Sequence, residues 1–375
     1  MKTHPLFDTN PFDYSTFNRE LFLKSFRENA LHHYERCSFI QKFWQSAGVH
    51  PSEMRTEEDL TKAPPVMVHL FKEHRFQSVP DHELVLTLTS SGTGGTKSIQ
   101  LLNEISLANV KRLAFQIHKF LGMTTDEKCN YLCFTYDPKV ANDLGTAFTD
   151  ELLTSFTGIN EVYYAFQWSK SKNDFEFNED ETAKKLIEFS KQNIPVRILG
   201  FPAFLHRIIE KHQLKLSLPK GSWIQTGGGW KTLANQEIPK PKFREHLSLH
   251  LGVPLTHIRD LYGMVEHGVP YVDCEKGNLH IPNYSRVFIR NPHDLSFLPA
   301  GEVGLMQFIC TYNESYPAFN ILVTDYGSIG HCDCSISGPT LQLHGRAGVN
   351  QHKGCAIKAL DLIKNKPEEA HVHLR

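Results

Sequence analysis

The sequence predicts an α/β fold with a largely parallel sheet, because strand-like runs alternate with amphipathic helical stretches along much of the chain. The runs Tyr131–Tyr136 and Val196–Leu199 have the composition of strands. The stretches 184–192 and 204–212 carry apolar residues at helical spacing. A chain of 375 residues suits one large domain or two unequal domains.

The other elements follow from the same periodicities. Apolar residues recur at helical spacing from Ile105 to Leu121 and stop at Gly122, which is a typical helix end. Further elements are predicted as helices at 17–47, 144–156 and 242–251, strands at 84–88, 162–166, 286–290 and 304–309, and a polar loop at 169–181.

Composition argues against several classes of partner. Forty basic and 41 acidic residues give a net charge of −1, so no global field favours nucleic acid or a membrane surface. The first residues lack a basic leader and a long apolar run, and no stretch reaches the ~20 apolar residues of a membrane helix. We therefore expect a cytoplasmic protein without a membrane span.

Cysteine usage fits a reducing compartment. The eight cysteines are scattered, and packed thiols are the favoured interpretation for most of them. His331-Cys332-x-Cys334 could form part of a metal site, but no second Cys-x-x-Cys pair completes a tetrahedral set. Zinc is therefore not the favoured interpretation there.

The stretch from Leu88 to Ser98 has the features of a polyphosphate-binding loop, placed between a short buried strand and a helix. Its glycines let backbone N–H groups converge on an anion, and its hydroxyls and lysine add donors. The candidate phosphate ligands are Ser90, Ser91, Gly92, Thr93, Gly94, Gly95, Thr96 and Lys97. The GTPase-type loop is excluded, because Thr96 stands where that pattern needs glycine before the lysine.

Four further motifs follow in order. Three successive glycines, 227–229, follow a strand, which allows close approach by another backbone or a flat ligand. Tyr262-Gly263-Met264-Val265-Glu266, Thr324-Asp325 and Gly345-Arg346 come after them. With the loop, these motifs resemble those of the adenylate-forming enzymes: acyl-CoA synthetases, luciferases and peptide-synthetase adenylation domains. The loop lacks that family's proline, and Val265 replaces its hydroxyl residue.

The resemblance implies ATP and Mg²⁺ as cofactors and assigns a role to each motif. The three glycines, 227–229, would admit adenine, with Tyr262 and Gly263 against it. Asp325 would accept hydrogen bonds from both ribose hydroxyls, which suits an acceptor-only carboxylate. Arg346 would bind ribose or phosphate. Lys97 and Glu266 would be catalytic, and Glu266 would also hold the metal.

Nearly the whole chain is similar to one branch of that superfamily, the acyl-protein synthetases of the bacterial bioluminescence fatty-acid reductase complex. The resemblance rests on the chain length, the Ser-Ser-Gly-Thr loop and a truncated C-terminus with a Lys-Gly-Cys segment. Residues 1–345 would form the adenylate-forming large domain, and 346–375 a truncated, mobile C-terminal segment. That segment carries Cys355, whose neighbours His352, Lys353 and Lys358 favour the nucleophilic thiolate. A packed thiol remains the alternative for Cys355.

The resemblance to this branch implies that a long-chain fatty acid is activated with ATP and passed to Cys355. An acyl-CoA reductase subunit would then receive the acyl group and make aldehyde. An acyl-transferase or thioesterase is an optional further member of that complex. Two alternatives stay open: a phenylacetate-type carboxylate–CoA ligase, and a non-catalytic protein that binds nucleotide or acyl groups.

Overall fold

The computed structural model describes residues 3–90, 98–137, 140, 145–171, 173–230 and 237–346. Within those ranges the chain forms eight α-helices, which are α1 (Thr16–Arg36), α2 (Ser38–Ser46), α3 (Leu70–Glu73), α4 (Glu104–Phe120), α5 (Gly145–Thr154), α6 (Glu179–Ser190), α7 (Pro202–His212) and α8 (Lys240–Leu251). The predicted helix at 17–47 is two helices, because Cys37 has extended backbone between α1 and α2.

The same ranges contain fifteen β-strands. They are β1 (Val66–Met67), β2 (Leu84–Thr89), β3 (Ile99–Asn103), β4 (Thr125–Tyr136), β5 (Thr157–Ser169), β6 (Asp174–Phe177), β7 (Val196–Gly200), β8 (Trp223–Gly227), β9 (Ile258–Met264), β10 (His267–Val272), β11 (Leu279–His280), β12 (Ser285–Arg290), β13 (Gly304–Cys310), β14 (Asn320–Gly330) and β15 (Thr340–Arg346).

A seven-stranded sheet confirms the predicted parallel core. Its order is β10-β9-β8-β7-β4-β5-β6, and the five inner strands are parallel while the two edge strands, β10 and β6, are antiparallel. Successive β4 residues point to opposite faces, as strand geometry requires. Tyr131 and Cys133 enter one apolar core, whereas Leu132 and Phe134 enter a second core that includes residues of α6, α7 and α8.

A second, six-stranded sheet is antiparallel along its main path, β11-β15-β14-β13-β12. The short strand β1 joins it in parallel with β14, where Val66 is the register partner of Ile321. The N-terminal helix α1 docks onto the segment that follows β13. Ser25 bonds Thr311 at 2.8 Å, and Asn29 donates to the Asn313 carbonyl at 2.8 Å. The first part of the chain is therefore held by residues nearly 300 positions later.

Two further sequence expectations are wrong. The glycine-rich loop does not run from a buried strand into a helix: β3 lies between loop and helix and pairs with the half-exposed β2 as a hairpin. The predicted polar loop at 169–181 contains β6 and the start of α6. Phe175 and Phe177 in β6 are buried, and the Phe177 ring lies 5.1 Å from that of Phe166, so aromatic packing holds this edge strand.

Candidate nucleotide and acyl site

Two of the predicted motifs, the glycine cluster and the Tyr-Gly segment, meet at the carboxyl edge of the seven-stranded sheet. Thr135 in β4, Gly200 at the end of β7, Gly227 at the end of β8 and Met264 at the end of β9 all line one cavity of about 200 Å³. In open α/β sheets ligands bind in the crevice outside the carboxyl ends of the strands. The structure therefore places the glycine cluster and the Tyr-Gly segment at the edge where a ligand is expected.

The glycine cluster forms a turn that side chains would obstruct. Gly228 and Gly229 have φ values of +77° and +69°, a conformation that L side chains rarely adopt. A Cβ atom on Gly228 would lie 2.8 Å from the Phe201 ring, whereas one on Gly229 would meet no atom of the described chain within 4 Å. Backbone alone thus forms this turn, which leaves the strand end accessible to a flat ligand.

Tyr262 and Asp325 come from different sheets and meet directly. The Tyr262 hydroxyl, on β9, donates to Oδ2 of Asp325, on β14, at 2.9 Å. Asp325 is also the register partner of Arg346 across the β14–β15 pair. The aromatic, acidic and basic positions predicted to hold the nucleoside are therefore neighbours, although they lie as many as 84 residues apart in sequence.

The hairpin between β9 and β10 carries Glu266 to the base of the candidate phosphate loop. Ser90 and Ser98 close that base: Ser90 N–H donates to the Ser98 carbonyl and Ser98 N–H to Ser90 Oγ, each at 2.9 Å. The Ser98 hydroxyl also donates to the carboxylate of Glu266, which is buried. Val265 packs towards the start of α5, where a Cβ on Gly145 would meet its methyl group at 2.7 Å.

Several predicted site residues have no described position. Ser91, Gly92, Thr93, Gly94, Gly95, Thr96, Lys97 and Cys355 lie outside the described residues. Arg346 is placed by its backbone in β15. The roles assigned to these residues stay predictions.

The cavity continues from the glycine turn into an apolar compartment that sequence reasoning did not locate. Its apolar lining comes mainly from β2, α4 and α5 and includes Leu88, Val110, Ala114, Phe148, Leu152 and Leu153. These residues are spread over three elements, and each has the apolar character of ordinary core. No sequence signal separates them from the rest of the core.

His118 is a polar residue in this lining, and its hydrogen bonds define its state. Nδ1 bonds the Ala114 carbonyl at 2.7 Å, so Nδ1 carries the proton, and Nε2 lies 3.0 Å from the Gln225 amide nitrogen, from which it accepts. Burial lowers the pKa of His118 to about 4, despite both hydrogen bonds. The imidazole is therefore neutral at pH 7 and adds no charge to the compartment.

Two more buried titratable groups line the cavity without a preceding sequence signal. Burial raises the pKa of Asp150, on α5, to about 7, while the Thr135 hydroxyl acts in the opposite direction. Burial lowers the pKa of His267 to about 3, and its Nε2 lies 2.9 Å from the Tyr271 hydroxyl. Near neutral pH, most of the cavity wall beyond the glycine turn is therefore apolar or only weakly charged.

Comparison with solved structures assigns the class of fold. A structure of 2-hydroxyisobutyryl-CoA ligase in the postadenylation state, in complex with 2-HIB-AMP, has a TM-score of 0.64 at 12% identity and covers 89% of this chain and 68% of its own. An open conformation of the same ligase, in complex with 2-HIB-AMP and CoA, has a TM-score of 0.66 at 12% identity, covering 88% and 74%. The fold is that of the adenylate-forming enzymes, as predicted.

Sequence comparison then assigns the family. The model of the LuxE acyl-protein synthetases matches residues 3–362, so the chain belongs to that family of ligases, and the predicted enzyme class is confirmed. Two curated relatives are named long-chain-fatty-acid–luciferin-component ligase. The one from Aliivibrio fischeri is 22% identical over 96% of this chain and 93% of its own, and the one from Vibrio harveyi is 23% identical over 87% and 84%.

The lengths and polarity of the helices bear on the expectation that the chain has no membrane span. Within the described ranges, none of the helices combines the length and apolar character needed to cross a lipid bilayer.

Proposed function

We propose that this protein activates a long-chain fatty acid with ATP and transfers the acyl group to its own Cys355. The observation that carries the proposal is the continuity of one cavity. At one end lie the glycine turn and the β9 strand end, and at the other lies the apolar compartment between α4 and α5. A molecule with an apolar chain and a carboxylate that reacts beside a nucleotide fits this arrangement.

The first step joins carboxylate and nucleotide. A carboxylate oxygen of the acid attacks the α-phosphorus of ATP, the bond from phosphorus to the pyrophosphate oxygen breaks, and pyrophosphate leaves with its electron pair. The acyl adenylate that results has AMP as a good leaving group. Negative charge on the phosphate oxygens is matched by donors of the loop closed by Ser90 and Ser98, with Lys97 as its cation. Tyr262 and Asp325 hold the nucleoside.

Glu266 is the proposed ligand for Mg²⁺. Its buried carboxylate is fixed by the Ser98 hydroxyl at the base of the phosphate loop. One carboxylate together with substrate phosphates is a donor set that Mg²⁺ commonly uses. When bound there, the ion would offset charge on the departing pyrophosphate. Glu266 would hold the ion at that end of the site, and Ser98 orients the carboxylate.

The second step moves the acyl group onto sulfur. The Cys355 thiolate attacks the acyl carbonyl carbon, the bond from that carbon to the AMP oxygen breaks, and AMP leaves with the electron pair. The product is a thioester on the 346–375 segment, which we propose acts as the arm that presents the acyl group. An acyl-CoA reductase subunit is the proposed acceptor, since reduction of the acyl group would yield aldehyde.

Adenylation is tested with the purified full chain by acid-dependent exchange of labelled pyrophosphate into ATP. Tetradecanoic acid should drive exchange, and Glu266→Gln should slow it by about 10²-fold, the usual loss for a charge-stabilising group. Glu302→Gln is the matched control, because Glu302 is exposed and is not among the residues that line the cavity. Absence of acid-dependent exchange in the folded wild-type protein would rule out the proposed activity.

Acyl transfer is tested separately with labelled tetradecanoic acid, ATP and neutral hydroxylamine. The wild-type protein should carry a hydroxylamine-labile label without coenzyme A. Cys355→Ser should keep pyrophosphate exchange and lose that label, while Cys37→Ser should keep both, since serine suits the cap position that Cys37 occupies at α2. A labile label on Cys355→Ser would assign another cysteine as acceptor. In a parallel reaction with added coenzyme A, a label found on free coenzyme A and never on the protein would favour the carboxylate–CoA ligase.

A further inference from the structure

Four side chains with metal-binding atoms converge where the two sheets meet. Cys274 follows β10, His280 ends β11, and Cys332 and Cys334 lie in the connection from β14 to β15. Their ligand atoms all lie within 4.8 Å of one another. The sequence offered His331-Cys332-x-Cys334, and the cluster contains both of those cysteines but His280 in place of His331. The other two members lie more than 50 residues earlier and form no Cys-x-x-Cys motif, so the fold alone completes the set.

The distances fit a tetrahedral zinc site. The Sγ atoms of Cys274 and Cys332 are 3.8 Å apart, and Nε2 of His280 lies 3.2 Å from Sγ of Cys334. Zn–S bonds of about 2.3 Å and Zn–N bonds of about 2.0 Å give tetrahedral edges of roughly 3.8 Å between sulfurs and roughly 3.5 Å between sulfur and nitrogen. A disulfide would need its sulfurs at about 2.0 Å.

The surroundings stabilise sulfur in the form that a metal needs. The Asn278 side-chain amide donates to Sγ of Cys332 at 3.2 Å, and the Ile336 backbone N–H donates to Sγ of Cys334 at 3.4 Å. A tight turn presents Cys274: its N–H donates to the Asn278 carbonyl at 2.9 Å, and Gly277 N–H donates back to the Cys274 carbonyl at 2.9 Å. Such donors hold ligand side chains in one orientation.

An ion pair joins the two segments that carry the cysteine ligands. Lys276 lies two residues after Cys274, and its ammonium group pairs with Asp333, between Cys332 and Cys334, at 2.8 Å. This ion pair ties the two ligand-bearing segments together a second time. Cys274 and His280 are buried, whereas Cys332 and Cys334 are half-buried, so an ion could enter from one side.

We propose that Cys274, His280, Cys332 and Cys334 bind one structural zinc ion. Three thiolates and one imidazole are a typical structural zinc set, and four protein ligands leave no open position for a substrate. Cys274 extends the edge strand of the seven-stranded sheet, whereas the other three ligands belong to or flank strands of the six-stranded sheet. The ion fastens the two sheets together at the end of β14 beyond Asp325.

The test is the metal content of the full chain, purified without chelators and measured by elemental mass spectrometry. The wild type should contain about one zinc per chain, and Cys332→Ser/Cys334→Ser should lose it. Cys37→Ser is the matched control and should keep it. His246→Gln is a second control, because His206, Glu210 and His246 form another group able to hold a metal. Zinc lost with His246→Gln and kept in the double variant would overturn the proposal.

A spectroscopic measurement on the wild type does not depend on the folding of any variant. Zinc removed with a chelator and replaced by Co²⁺ should give the intense visible bands of a tetrahedral site and a sulfur-to-cobalt charge-transfer band. Octahedral or purely nitrogen–oxygen spectra would overturn the assignment. So would wild-type protein, grown with zinc, that contains no zinc and binds no Co²⁺.

Discussion

Replacing Gly228 by alanine tests whether the glycine turn sets the geometry of the nucleotide site. The new Cβ would lie 2.8 Å from the Phe201 ring, and ordinary contact begins at 3.4 Å, so ring or turn must move by about 0.6 Å. Phe201 is only 3% exposed, and its ring lies 6.5 Å from that of Phe166 and 6.2 Å from that of Phe204. Because the ring has little room to retreat, we expect the turn to move.

The expected cost of the substitution has two parts: one that Gly228→Ala and Gly229→Ala share, and one that applies to Gly228→Ala alone. Alanine at a positive φ costs roughly 1–2 kcal/mol, and this applies to both Gly228→Ala and Gly229→Ala. Only Gly228→Ala adds the clash with Phe201, and overpacking of this kind costs about 1–3 kcal/mol. A displacement of the turn approaching 1 Å lowers reaction rates by up to about 10²-fold. Because the required shift is about 0.6 Å, we expect Gly228→Ala to lose roughly 10- to 100-fold in kcat/KM for ATP.

The assay is tetradecanoate-dependent pyrophosphate exchange at low ATP, with urea unfolding as the measure of stability. Gly229→Ala is the matched control and should lose only a few-fold in kcat/KM, because its Cβ meets no described atom within 4 Å. Equal losses in the two variants would refute the role given to the Phe201 contact. A folded Gly228→Ala protein with wild-type kinetics would place the turn outside the nucleotide site.

Three further perturbations test other parts of the site. Asp325→Asn should lower kcat/KM for ATP by about 10- to 100-fold, since a hydrogen bond to a charged group contributes about 1.5–3 kcal/mol. The same substitution should lower kcat/KM for 2′-deoxy-ATP less. Equal losses with the two nucleotides would argue against ribose binding by Asp325. His118→Gln should make the folding stability less sensitive to acid. The pKa of His118 in the folded protein, about 4, lies below the usual 6.5, so the free energy of unfolding of the wild type should fall by about 2 kcal/mol between pH 7 and pH 5. The urea midpoints measured at these two pH values should therefore differ less in the variant than in the wild type. Ala114→Leu should slow pyrophosphate exchange with tetradecanoate by about 30-fold, or roughly 2 kcal/mol, because the three added carbons displace about three methylenes of the acyl chain from the cavity. Exchange with the shorter octanoate should be unchanged. Equal effects on both acids would show that the acyl chain does not bind beside Ala114.

The local sequence pattern predicts much of the parallel sheet, but it does not predict the short strands β3 and β6. β4 and β7 read as strands because apolar residues dominate them, and the helices between them have clear periodicity. β3 was missed because it is short and becomes a strand only by pairing with β2 across the loop. Local pattern does not predict β6, because Phe175 and Phe177 stand among polar residues and are buried by aromatic contacts with the neighbouring strands β4 and β5.

The site divides in the same way. The glycine cluster and the Tyr-Gly segment are each a short run of consecutive residues, so the sequence alone is enough to recognise them. Contacts between elements are a different matter. Nothing near Cys332 in sequence points to Cys274, and nothing near His118 points to Gln225, because each pair is brought together only by the packing of strands and helices far apart in the chain.

The docking of α1 onto the segment after β13 has a consequence for synthesis on the ribosome. Helix α1 emerges first, yet Thr311 and Asn313, to which Ser25 and Asn29 bond, are translated about 280 residues later. At roughly 5–20 residues per second, the apolar face of α1 waits for about a quarter of a minute to a minute before its native surface exists. During that interval Phe22 and Phe26, which are fully buried in the folded protein, are available to a chaperone that binds exposed apolar segments.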